Sequence, residues 1–118
     1  MAKDFYITDN EHEKCRKIMN AFIELYEATD SIVLDAGKYG FVKLQHYSYG
    51  GFDVTIVFTE SDKMFNSLWE DWLDTQLYNL SKGTPVTDME RQDMFNHLPK
   101  EKQKELMDKR KYFEEKVR

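Results

Sequence analysis

The sequence predicts an α+β domain: a helix, a three-stranded antiparallel meander, a second helix, and then two C-terminal helices. Three observations carry this. Apolar residues recur at three- and four-residue steps near the N-terminus and again after Ser61. Between those stretches they alternate in period two, and the glycines Gly37, Gly40, Gly50 and Gly51 punctuate the alternation.

Asp9 or Asn10 is expected to cap a first helix that runs to about Ala28, with Cys15, Ile18, Met19, Phe22, Leu25 and Tyr26 on its buried side. The first strand covers Ser31 to Ala36. A turn over Gly37–Gly40 leads to a strand from Phe41 to Tyr47. Gly50-Gly51 accepts the positive φ of a tight hairpin and leads to a strand from Phe52 to Thr59. Ser61 caps a second helix from Asp62 to about Ser81, striped by Met64, Phe65, Leu68, Trp69, Trp72, Leu73, Leu77 and Leu80. Gly83 and Thr84-Pro85 stop it. Thr87-Asp88-Met89-Glu90 reads as a capping box for a short third helix toward His97, and Pro99 as the first residue of a fourth. That last helix offers Leu106, Met107, Tyr112, Phe113 and Val117 to a core. The 118 residues make one domain, with residues 10–83 as the helix–meander–helix core and 86–118 as the C-terminal helical pair.

Alternation divides the sheet into two faces. One carries Ile32, Leu34, Val42, Leu44, Val54, Ile56 and Phe58, which the first two helices are expected to cover. The other carries Val33, Phe41, Lys43, Gln45, Tyr47, Thr55 and Val57. Phe41, Tyr47 and Val57 are too apolar to leave bare without a reason. Either the C-terminal helices fold back over them, or they dock a partner or a second copy. Stacking of nucleic-acid bases there is weakly supported, because Lys43 is the one nearby cation and Asp35 and Asp53 lie close.

The residues that could carry chemistry are scattered. His12 and Cys15 are three apart, a spacing for two metal ligands, but a site needs three or four, and His46 and His97 fall on other elements. Cys15 is in phase with the apolar residues of its helix and reads as a small buried hydrophobe. His46 shares a strand face with Val42 and Leu44 and reads as a core or rim histidine. The serines Ser31, Ser48, Ser61, Ser67 and Ser81 fall in strands, turns, caps or helix ends, without a base-and-orienter signature. Gly50-Gly51 lacks the Lys-Ser/Thr of a phosphate loop. The expectation is therefore a non-enzymatic accessory or interaction chain with no catalytic residue, no metal and no cofactor, a small enzyme of unknown class being the third reading after nucleic-acid association.

Charge points to two further surfaces. Glu70, Asp71 and Asp74 sit between Trp69, Trp72 and Leu73, opposite the apolar stripe, as a solvated acidic face or a partner-binding patch. Residues 1–99 hold 9 Lys and Arg against 17 Asp and Glu, whereas residues 100–118 hold 8 against 5, within a net charge of −5. The acidic body disfavours non-specific nucleic-acid binding. The tail reads as an exposed helix stabilised by pairs such as Glu101 with Lys104, Glu105 with Lys109 and Glu114 with Arg118. The alternative is a basic arm, Lys100, Lys102, Lys104, Lys109, Arg110 and Lys111, that reaches nucleic acid or an acidic partner.

A single cysteine, a charged N-terminus without a signal-like apolar run and the lack of any membrane-length apolar stretch predict a protein of the bacterial cytoplasm, off the membrane. Its expected partner is another protein or a second copy, with nucleic acid as the alternative.

The helix–three strands–helix order over about residues 10–81 resembles the double-stranded-RNA-binding fold in topology. In that family a lysine cluster opening the second helix grips phosphates. Here the matching stretch is Ser61-Asp62-Lys63-Met64, followed by acids, so the resemblance does not carry the function. The segments Leu68-Trp69-Glu70-Asp71-Trp72-Leu73-Asp74 and Leu98-Pro99-Lys100-Glu101-Lys102-Gln103 resemble those of small accessory proteins on conjugative and phage-like elements of Gram-positive bacteria. That resemblance runs along the chain, contains no catalytic motif, and implies an accessory role.

Overall fold

The structure, a computed structural model, describes residues 6–23, 25, 31–47, 50–80 and 91–118, with the side chains of residues 46 and 55 left aside. The fold is α+β, in the predicted order. Helix α1 spans Asp9–Phe22, strands β1, β2 and β3 span Ser31–Asp35, Phe41–His46 and Phe52–Phe58, and helices α2, α3 and α4 span Ser61–Leu80, Arg91–Asn96 and Lys100–Lys116. The capping box at residues 87–90, the stop at 83–85 and the end of the first helix at 26–28 lie outside the described residues.

The helix starts differ by one residue from their sequence positions. Thr8, in extended backbone, caps α1 by accepting the Glu11 N–H at 3.2 Å, a role expected of Asp9 or Asn10. Ser61 is the first residue of α2 instead of its cap, and its own N–H and hydroxyl donate to the Glu11 carboxylate at 3.1 and 3.0 Å. An acid from α1 thus sits at the positive end of α2, where the helix dipole favours it. Pro99 precedes α4, and its carbonyl accepts the N–H groups of Lys102 and Gln103.

The sheet order is β1-β2-β3, antiparallel throughout. Gly50 and Gly51 both take positive φ in the β2–β3 turn, as the hairpin demanded. Gly40 must lack a side chain, because a Cβ there would stand 2.2 Å from the Phe58 carbonyl oxygen. Between Lys43 and Leu44 the register shifts: Lys43 faces Ile56 but Leu44 faces Val54, so position 55 is an extra residue in β3.

The helices cover the face opposite to the one expected. Toward them point Ser31, Val33, Asp35, Phe41, Lys43 and Phe58, of which Phe41 is fully buried and Lys43 only 8% exposed. Away from them point the rows Leu34–Val42–Val57 and Ile32–Leu44–Val54 and, in the third row, Phe52. Two physical causes override the alternation. Polar inner residues find partners on the helices: Lys43 Nζ reaches Asp71 Oδ2 at 2.8 Å and Ser67 Oγ at 2.7 Å, and His12 Nε2 meets Asp35 Oδ1 at 2.9 Å. The extra residue at 55 also breaks the phase of β3, sending Phe58 inward and Val54 outward.

Helix α4 lies on the helix layer, not on the sheet. Phe113 is fully buried and stacks on Phe22 of α1 at 4.8 Å between centroids. Arg110 lies over Phe65 and Trp69 and Lys109 over Trp72, on the side of α2 away from Ser67 and Asp71. Of the residues expected to reach the core from α4, Leu106, Phe113 and Val117 do so, whereas Met107 and Tyr112 stay exposed.

Candidate interaction surface

The outer sheet face is the most unusual surface of the molecule. Its exposed members are Ile32, Leu34, Phe52, Val54 and Val57, the last four 52%, 59%, 60% and 52% exposed. At its centre Leu44, between its cross-strand neighbours Ile32 and Val54, is buried, while Val42 is half-buried. No Asp, Glu, Lys or Arg occurs in the three rows. A soluble sheet with one solvated face ordinarily alternates apolar-in with polar-out. Here Asp35 and Lys43 are on the inner face and paired, beside the apolar Val33, Phe41 and Phe58, while the outer rows are apolar as well. Among the described residues these rows form a contiguous apolar surface.

The sequence-predicted partner surface is therefore corrected in part. Val57 lies on the open face as expected. Phe41 does not: it packs beneath α1, with its ring 5.0 Å from that of His12. Tyr47 is half-buried, and its hydroxyl donates to Asp53 at 2.9 Å, which raises its pKa above the usual phenol range. Ile32, Leu34 and Val54, assigned to the core by alternation, join Val57 outside. No local signal could have found them, because apolar rows without charge ordinarily mark the buried face.

The acidic patch on α2 is also spoken for. Asp71 accepts from Lys43 and, at 3.3 Å, from Ser31. Asp74 receives a forked pair from Arg91 at 2.6 and 2.8 Å, with Glu70 at 3.6 Å from the same guanidinium. These acids join α2 to the sheet and to α3, and so do not stand out as a free docking patch.

The basic arm divides in the same way. Lys102 pairs with Glu105, Lys104 with Asp108 and Arg110 with Glu114 and Asn66, and Lys109 lies over Trp72. Lys100 and Lys111 are exposed. The intrahelical pairs expected at Glu101, Glu105 and Glu114 thus give way to a different set of partners.

Elsewhere the chemistry is sparse. Cys15 is fully buried, and desolvation first, with Glu11 and Asp62 adding to it, pushes its thiol up to about 11, far from a reactive thiolate. Burial would raise the Asp35 carboxyl, but the Gly37 N–H and His12 outweigh it and hold the group below its ordinary value. Among the described residues no three His, Cys, Asp or Glu side chains come together as a metal site, and no helix is long and apolar enough to cross a membrane. A cleft of about 580 Å³ between α1, α2 and α4 mixes Lys14, Lys17, Arg110 and Arg118 with Glu13, Asp62 and Glu114, and Arg110 is paired with Glu114. No protein-family model, curated protein or solved structure matches the chain.

Proposed function

We propose that this chain is a non-enzymatic interaction module whose working surface is the outer face of its sheet. The observation that supports this most is the inversion of the sheet, with paired charges inside and a charge-free apolar face outside. Exposing that face costs solubility and gains the fold nothing, so a contact is the physical reason to keep it. The accessory role implied by the resemblance to proteins of conjugative and phage-like elements agrees with this reading. Nucleic-acid association through α4 is disfavoured, since four of its six expected cations are engaged within the protein.

Site-specific photo-crosslinking tests the proposal. A benzoylphenylalanine at position 57 is expected to crosslink to protein, and the same probe at position 111 on α4 is not. Crosslinking from position 111 alone, or nucleic-acid binding that weakens steeply with salt, would count against it.

A further inference from the structure

We infer that the occupant of the outer sheet face is a second copy of this chain, packed face to face as a six-stranded sandwich with the helices outermost. The inference rests on the reading of that face as the contact surface, and three features of the face select the partner.

The first is charge. Each chain carries a net −5, so a contact between two copies is favoured where the facing surfaces bring no charge of their own. The outer rows meet that condition. An acidic or basic partner would gain no electrostatic complementarity there, whereas an identical face meets its own chemistry.

The second is area. Scaled by the exposures of Ile32, Leu34, Phe52, Val54 and Val57, the face offers roughly 500 Å² per copy, so a facing pair removes at most about 1,000 Å² there, near the lower bound for a specific interface. The strand edges and the Gly50-Gly51 turn add a rim. That carries the total toward the range of stable pairs, roughly 1,200–2,000 Å².

The third is shape. Two twisted sheets stack about 10 Å apart with their strands near 30° to one another, and a two-fold axis through the face pairs each patch with its own copy. The helix layer lies on the far side of each sheet, so the charged surfaces of α2 and α4 stay in water and do not meet.

Sedimentation equilibrium on the full chain and on Val54→Lys tests this, with carbene footprinting from a photolysed diazirine as the second readout. The expected result is twice the 14.2 kDa chain mass for the natural sequence. Val54→Lys is expected to raise the dimer dissociation constant by on the order of 100-fold, because it places an unpaired ammonium in a desolvated contact. Its far-ultraviolet circular dichroism should be unchanged. A dimer that survives Val54→Lys overturns the assignment of this face. A single chain whose Leu34, Val54 and Val57 label heavily overturns the second copy and leaves the interaction module standing with another partner. A single chain in which those residues are protected overturns both, because the face is then covered by its own chain.

Discussion

The two faces of the sheet exchange their expected characters. The inner face carries Ser31 and Lys43, which are nonetheless buried, while the outer face carries Ile32, Leu34, Val54 and Val57, which are exposed. The difference teaches that hydrophobicity alone does not decide burial. A polar residue goes inside when a partner waits for it, as Asp71 and Ser67 wait for Lys43. An apolar residue stays outside when the elements available to cover it are already committed elsewhere, as α4 is to Phe22, Phe65, Trp69 and Trp72.

The comparison breaks most severely at Phe41. Phe41→Ala empties the space under α1 and is expected to cost about 3–5 kcal/mol in urea unfolding, the range for deleting a buried aromatic ring. A loss under 1 kcal/mol would place Phe41 on the outside after all.

Lys43 comes next. Its side chain is 11% exposed and that of Asp71 31%, so Lys43→Met leaves a carboxylate that water reaches only in part. The expected cost is about 2 kcal/mol, less than for a fully buried pair because Asp71 keeps some hydration. The double variant Lys43→Met with Asp71→Leu should recover part of it, which a double-mutant cycle measures directly.

Cys15 sharpens the contrast through pH. Its thiol is pushed up to about 11 by burial, above the ordinary range. The neutral thiol therefore favours the fold fully below the ordinary thiol pKa, and this contribution is lost as pH rises toward the folded value. Urea unfolding of the natural chain should fall more steeply over that alkaline window than unfolding of Cys15→Ala. Reaction with a disulfide reagent at neutral pH should be slow until the chain is unfolded.

The smallest effect is expected on the outside. Val57→Ala should change the stability of the single chain by under about 0.5 kcal/mol, as for other surface substitutions. A cost of several kcal/mol in dilute solution would mean that the face is covered from within.

Much of the fold was legible because its signals are local. The period of Cys15, Ile18 and Phe22 marks α1, the run from Met64 to Leu77 marks α2, and Gly50-Gly51 places the hairpin at a turn only glycine suits. The facing of the sheet was not legible, because period two distinguishes two faces without saying which is buried. The choice depends on pairings across 23 and 28 residues, His12 with Asp35 and Lys43 with Asp71. The extra residue at 55 carries no glycine to announce it, yet it shifts half of β3 to the other phase. Of the residues expected on the outer face, Val57 lies there and Phe41 does not, for the same reason. The acids of α2 looked solvated because their partners, Lys43 and Arg91, are 28 and 17 residues away.

Val33 and Leu34 are neighbours in one strand and point to opposite faces, the first 6% and the second 52% exposed. Aspartate at each in turn, compared by urea unfolding at concentrations where the single chain dominates, tests the inversion most directly. Leu34→Asp should keep the stability of the natural chain to within about 0.5 kcal/mol, and Val33→Asp should lose about 3 kcal/mol or more. The opposite order, with Leu34→Asp unfolded and Val33→Asp intact, would contradict the account.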